Sequence, residues 1–257
     1  MGLFKKKLKP TVTIEDKIWV EESIWWLEEQ YGKSFLINQP FFTPTRQYFD
    51  HTFKGNEEDA YFVLEQLCVY MDIKDVNIAL TFYSESPQDF SDEGIEITQS
   101  ENLSKSENNF ALGRYSQDGM NKYEIGIDFS VLKDPQVLIA TMAHELSHLI
   151  LLGEGRIDEN DEFLTDLNAI AMGFGIFTAN SIFSFSQWQG LSFHGWQANR
   201  RGYLPEQVVS YALALLQCYK KKEDDWSNFL NPGIKKQYDK NMNYLKENKE
   251  GIGFLNA

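Results

Sequence analysis

Two histidines four residues apart, with a glutamate beside the first, form the part of this chain whose residue types and spacing can do chemistry: His144-Glu145-Leu146-Ser147-His148. On a helix, positions i and i+4 project from one face, so both imidazoles can converge on one zinc ion. Glu145 then stands beside the metal rather than on it, where it can take a proton from an attacking water. The chain has four histidines, and two of them fall in this pentapeptide. The bland alternative is a pair of buried core histidines bonded to their neighbours.

A structural zinc wants four protein ligands, whereas a hydrolytic zinc wants three and an open position. A third ligand is therefore expected nearby. The variant with a third histidine, H-E-x-x-H-x-x-G-x-x-H, does not fit, because Leu151 replaces the glycine and Glu154 the last histidine. Downstream lies Asp161-Glu162-Phe163-Leu164-Thr165-Asp166. Glu162 and Asp166 share a helix face, and the small Ala169 and Gly173 continue it, allowing two helices to approach closely. Glu162 is the expected third ligand, and Asp166 the group that holds a histidine's outer N–H. Glu154 is the competing ligand. The remaining acids of this stretch, Asp158, Glu159 and Asp161, read as a solvated face.

This five-residue constellation resembles the gluzincins, thermolysin-like metallopeptidases with H-E-x-x-H on one helix and E-x-x-x-D on a later one. About 25 residues carry the likeness, together with strands that precede the active-site helix. The run Thr165-Asp166-Leu167 followed by Gly173-Phe174-Gly175-Ile176-Phe177 is also similar to a bacterial group of uncharacterised zincin-like proteins. The resemblance implies a zincin-like α+β fold, a bound Zn2+, a peptide or protein substrate, and hydrolysis with Glu145 as general base. It also implies a donor for the oxyanion of the tetrahedral intermediate, for which His194, Tyr203 and Tyr211 are candidates. Nearby Trp188, Phe193 and Trp196 either line a cleft or close the core, and His51 reads as structural. The competing class is a non-catalytic zincin-like module whose metal supports a partner-binding surface.

The elements that must position these residues follow from periodicity. A helix is expected over 14–31, begun by Thr13 and Asp16, with Ile18, Trp25 and Trp26 suggesting heavy burial. Residues 33–55 read as extended, since Pro40 and Pro44 oppose a helix. Asn56 caps a second helix carrying Ala60, Val63, Leu64, Leu67, Cys68 and Met71 on one face. Residues 76–82 alternate as a strand, Ile95 and Ile97 suggest another, and a hairpin is expected around Asp118-Gly119. Its edge would bind a substrate backbone by strand addition. Asp134-Pro135 starts the motif helix, which runs to Gly153. Further helices are expected over 158–177, after Pro205 and after Pro232. Together these predict an α+β domain over 13–257, with a small mixed or antiparallel sheet packed on the active-site helix, behind a basic flexible tail at 1–12.

Composition removes other classes. The chain has 257 residues and a net charge of −14, although Lys5, Lys6, Lys7 and Lys9 all lie near its start. So acidic a body repels phosphate backbones, which argues against nucleic acid as a partner. The most apolar stretch, 169–177, is too short to span a membrane and carries two glycines. Cys68 and Cys218 form no disulfide framework and fit a reducing, cytoplasmic compartment.

Overall fold

The computed structural model describes residues 8–84, 113–117, 122–189, 204–221 and 225–248. Helix α1 (Ile14–Tyr31) begins at Thr13, whose side chain accepts a hydrogen bond from the Asp16 amide. Its buried face is Val20, Ile24 and Leu27, while Ile18 and Trp25 are about half exposed. The expected burial of those two residues is thus corrected: the smaller aliphatics supply the seam, and the large side chains flank it. A short helix α2 (Lys33–Asn38) occupies the front of the segment expected to be extended. It needs only one turn and a half and stops before Pro40, so the proline's objection applies only afterwards.

Helix α3 (Glu57–Tyr70) opens with a capping box between Asn56 and Asp59. Asp59 does more than cap. Its Oδ2 accepts from the amides of Lys54, Gly55 and Asn56, and its Oδ1 pairs with His51 Nε2 at 2.7 Å. His51 also stacks on Phe62, which is the structural role expected for it. Burial raises the Asp59 pKa, but the bonds from His51 and the three amides outweigh it and hold the carboxyl below its ordinary value. Asp59→Asn should therefore cost about 2–3 kcal/mol in urea unfolding, the scale for losing charged hydrogen bonds. With a depressed folded pKa, the wild type's advantage is complete above about pH 4 and disappears as the pH falls through the folded value. An equal stability of the two proteins at neutral pH would contradict this assignment.

The sheet contains β1 (Asn77–Tyr83), β2 (Gly113–Gln117) and β3 (Lys122–Asp128) in the order β1-β3-β2. β1 runs parallel to β3, and β2 antiparallel to it. The sheet is therefore mixed, and the purely antiparallel option is corrected. The β2–β3 pair matches the expected hairpin strands, although Asp118-Gly119 and the expected strand at Ile95–Ile97 lie outside the described residues. β3 is central and buries Tyr123, Ile125 and Ile127, the alternation of a strand with one face on the core. β2 forms an edge of the described sheet and runs beside the next helix.

That helix, α4 (Pro135–His148), has Asp134 as N-cap and continues through a wider turn at Leu149–Gly153. Its 19 residues from Pro135 to Gly153 are long and apolar enough to cross a membrane, but 83% of that window is buried inside the protein. It is a core helix. Helix α5 (Glu162–Ala169) starts later than expected, with Asp161 as its cap. The chain then passes through a break at Gly173, where φ is +99°, into α6 (Gly175–Gln189). The single helix expected over 158–177 is thus two helices at an angle. Helices α7 (Glu206–Lys220) and α8 (Pro232–Glu247) follow.

Two hydrophobic cores result. One is all-helical, joining α1, α2, α7 and α8 through Ile24, Leu27, Leu213 and Leu245. The other joins α3, the sheet and α4 through Leu67, Ile125, Met142 and Leu146. The α5–α6 stretch contributes to both, with Leu167 in the first and Phe177 in the second. Within the expected tail, Thr11 is tied to Asn241 of α8 by three hydrogen-bond contacts, and residues 1–7 lie outside the described ones.

Candidate metal centre

Helix α4 is driven into the interior by Leu138, Met142 and Leu146 on its sheet side, and the motif residues follow on the side that meets α5. His144 and His148 are 9% and 7% exposed. Asp161 caps α5 through the Leu164 amide, which starts that helix just before Glu162 and presents Glu162, Thr165 and Asp166 to α4. The structure brings His144 Nε2, His148 Nε2 and Glu162 Oε2 together, with nitrogen–nitrogen separation 3.1 Å and nitrogen–oxygen separations 3.1 and 3.3 Å. Among the described residues this is the group of His, Cys, Asp and Glu side chains able to hold a metal ion.

The outer nitrogens decide what the inner ones offer. His144 Nδ1 lies 2.8 Å from Asp166 Oδ1, and an ionised carboxylate can only accept, so the Nδ1 atom carries the proton. Asp166 is itself fixed, because its Oδ2 accepts from the Leu204 amide at 2.8 Å. His148 Nδ1 lies 3.4 Å from Thr165 Oγ1, whose own proton goes to the Asp161 carbonyl. With both rings neutral and protonated only on these outer nitrogens, the imidazoles would turn lone pairs toward each other and toward a carboxylate oxygen. Three such bases repel unless a positive charge sits between them. A tetrahedral ion with ligands at 2.0–2.1 Å would space them about 3.3 Å apart, close to the observed separations. The residues fit zinc.

The electrostatics agree. Burial opposes a charge on His144, but hydrogen bonds to Asp166 and Glu162 prevail and push its pKa well above the ordinary value. Burial alone would raise Glu162, yet its bonds to His144 and His148 hold it far below the carboxylate range. The cluster favours one positive charge in either description. Asn160 Nδ2 donates to the other oxygen of Glu162 at 2.7 Å, steadying a carboxylate that is partly exposed.

Glu145 points elsewhere. It is 4% exposed and lines, with His144, a cavity of about 20 Å³ walled by Thr141 of α4, Thr178 and Ile182 of α6, and Leu204. Burial raises its pKa, while His144 and His148 pull it down by less. It stands next to the cluster without contributing an atom to it, as a general base requires.

The other candidates fall apart from this centre. Glu154 is paired with Arg156 at 2.8 Å, and Arg156 also donates to the Gln30 carbonyl and covers the Tyr31 ring; Glu154 is thereby committed to α1. The expectation for Tyr211 is corrected: it is fully buried and its hydroxyl donates to Glu21 of α1 at 2.6 Å, because its position on α7 faces the helical core. His194, Tyr203, Phe193 and Trp196 lie outside the described residues, as does the Trp188 side chain. Sequence reasoning missed Thr165 and Asn160, although Thr165 is at i+3 from Glu162 on the same face. It also missed Thr178 and Leu204, which only the packing of α6 and the entry to α7 brings in.

Comparison with protein-family models, with curated proteins and with solved structures gives no match. The functional reading rests on the chain's own residues and their arrangement.

Proposed function

We propose that this protein is a zinc-dependent hydrolase of the gluzincin type with a zincin-like fold, acting on a peptide or protein in the cytoplasm. The observation that carries the reading is the convergence of three ligand atoms beside a buried carboxylate that is not one of them. His144, His148 and Glu162 would hold the ion. Zinc, when bound, supplies a Lewis acid that acidifies water and polarises a carbonyl. Asp166 keeps the His144 ring in the tautomer that can ligate, and Leu204's amide keeps Asp166 in place. Glu145 removes the proton from the attacking water and returns it to the leaving amine. The walls from α6 and from Leu204 exclude bulk water, which strengthens each of these interactions. Strand β2, an edge of the described sheet beside α4, would present its outer backbone groups to an extended substrate.

Metal analysis tests this directly. The purified chain should carry about one zinc ion, and Glu162→Ala should lower its affinity more than Asp166→Asn does. The latter should cost about 10- to 100-fold, as losses of an outer partner do. Glu154→Ala should leave affinity unchanged, since Glu154 is spent on Arg156. If Glu154→Ala released zinc and Glu162→Ala did not, the gluzincin arrangement would be lost.

A further inference from the structure

Buried hydroxyls on helices usually return their proton to the carbonyl four residues back. Three near the metal centre do so: Ser147 to Ala143, Thr165 to Asp161 and Thr178 to Phe174. Thr141 does not. It is 4% exposed, and its Oγ1 has no hydrogen-bond partner among the described residues. A hydroxyl left in that condition costs stability that an apolar residue of the same shape would not. Thr141 is three residues before His144 and four before Glu145, so one helix face carries all three into the same small cavity.

The dimensions of that cavity set the chemistry of its occupant. A volume of about 20 Å³ holds little more than one water-sized probe, which leaves room for one or two non-hydrogen atoms. The uncharged walls include Thr141, Thr178, Ile182 and Leu204, and the carboxyl groups of Glu145 and Asp166 at the same cavity disfavour an anionic occupant. Asp166, also at the cavity, has its two oxygens engaged by His144 and Leu204.

We propose that Thr141 is a specificity residue: this cavity takes a substrate side chain of one carbon and one hydroxyl, that of serine, at the residue next to the scissile bond. The inference rests on the metallohydrolase reading above and adds the substrate class. The substrate hydroxyl displaces whatever water visits the cavity and pairs with Thr141 Oγ1. An alanine methyl fits but leaves Thr141 unpaired, and a leucine is too large.

The test is equilibrium binding, which needs no turnover. Three dipeptide hydroxamates differing only in a Ser, Ala or Leu side chain next to the hydroxamate are titrated by calorimetry into the zinc-loaded full chain. The serine compound should bind about tenfold tighter than the alanine one, the scale of one hydrogen bond. It should exceed the leucine compound by about 100-fold. In Thr141→Val, which keeps the shape, zinc content should stay level and the Ser-to-Ala ratio should fall to near one. Equal binding of the serine and alanine compounds to wild type would overturn the proposal, as would failure of all three to bind. A serine preference that survives Thr141→Val would assign it to another group and overturn the role of Thr141. Serine-selective binding without cleavage of any serine peptide would instead sink the catalytic reading and leave the pocket intact. A chain that takes up no zinc overturns both.

Discussion

Glu145→Gln should reduce the turnover of any peptide cleaved by the zinc-loaded protein by about 10²–10⁴-fold, the contribution of a positioned general base. The substitution keeps the side chain's volume and removes its basicity. Zinc content should not change, because the cluster is made by His144, His148 and Glu162 without Glu145. Nor should the fold suffer: among the described residues no hydrogen bond to the Glu145 carboxylate holds an element in place, and a neutral amide is easier to bury at 4% exposure than an ion. A library of peptides, with cleavage checked for sensitivity to a hydroxamate, supplies the substrate, and elemental analysis of both proteins supplies the metal content. A variant that cleaves at the wild-type rate would remove Glu145 from the mechanism. A wild type that binds zinc tightly and cleaves nothing would favour the other class of function, a metal-supported binding module, for which the buried carboxylate would have no task.

The cluster of His144, His148 and Glu162 was legible because its information is local. His144 and His148 need only a helix between them, and the N-cap at Asp134, the proline after it and the apolar face all announce one. Glu162 and Asp166 needed one further step, the guess that the next helix lies against the first, and their own i, i+4 spacing supplied it. The substrate side of the site was not legible. Thr178, Ile182 and Leu204 reach the cavity only because α6 turns back onto α4 and because the start of α7 docks on Asp166. No spacing within one element encodes that. Tyr211 shows the converse: its chemistry suited a donor to an oxyanion, yet α7 is buried on nearly every side, and a helix surrounded by core has no periodic stripe to reveal which neighbour each residue meets. The large residues of α1 misled for a related reason. Ile18 and Trp25 lie beside the seam made by Val20, Ile24 and Leu27, so apolar character alone did not choose the buried face. In the sheet, alternation identified β1 and the hairpin signal at Asp118-Gly119 identified β2 and β3, but parallel pairing of β1 with β3 is a property of the connection between them, and the strand residues do not record it.

Gly173→Ala should cost about 4 kcal/mol or more, enough to consume much of a typical domain's stability. Two independent penalties meet there. The backbone sits at φ +99°, a conformation that side chains with a Cβ rarely adopt. A Cβ built on it would also lie 2.3 Å from the Pro40 carbonyl oxygen and 2.9 Å from the Phe42 ring, and the first of these is backbone that cannot swing aside. The contact is close because the 39–42 segment repairs the break in the helix. Gln39 Nε2 donates to the Met172 carbonyl at 2.7 Å, and the Phe42 amide donates to the Gly173 carbonyl at 2.9 Å, so two carbonyls released by the kink are satisfied. The kink in turn lets one stretch of chain meet α4 twice, first through α5 at the His144–His148–Glu162 cluster and then through α6 at the cavity. Gly126→Ala is the control, since its Cβ would meet the edge of the Tyr83 ring at 3.1 Å, a contact that side-chain movement can relieve, at negative φ. Urea unfolding of the two variants should separate them clearly. If Gly173→Ala were no more costly than Gly126→Ala, the clamp between residues 39–42 and the kink would not be tight. The geometry that carries Thr178 and Ile182 to the cavity would then need another support.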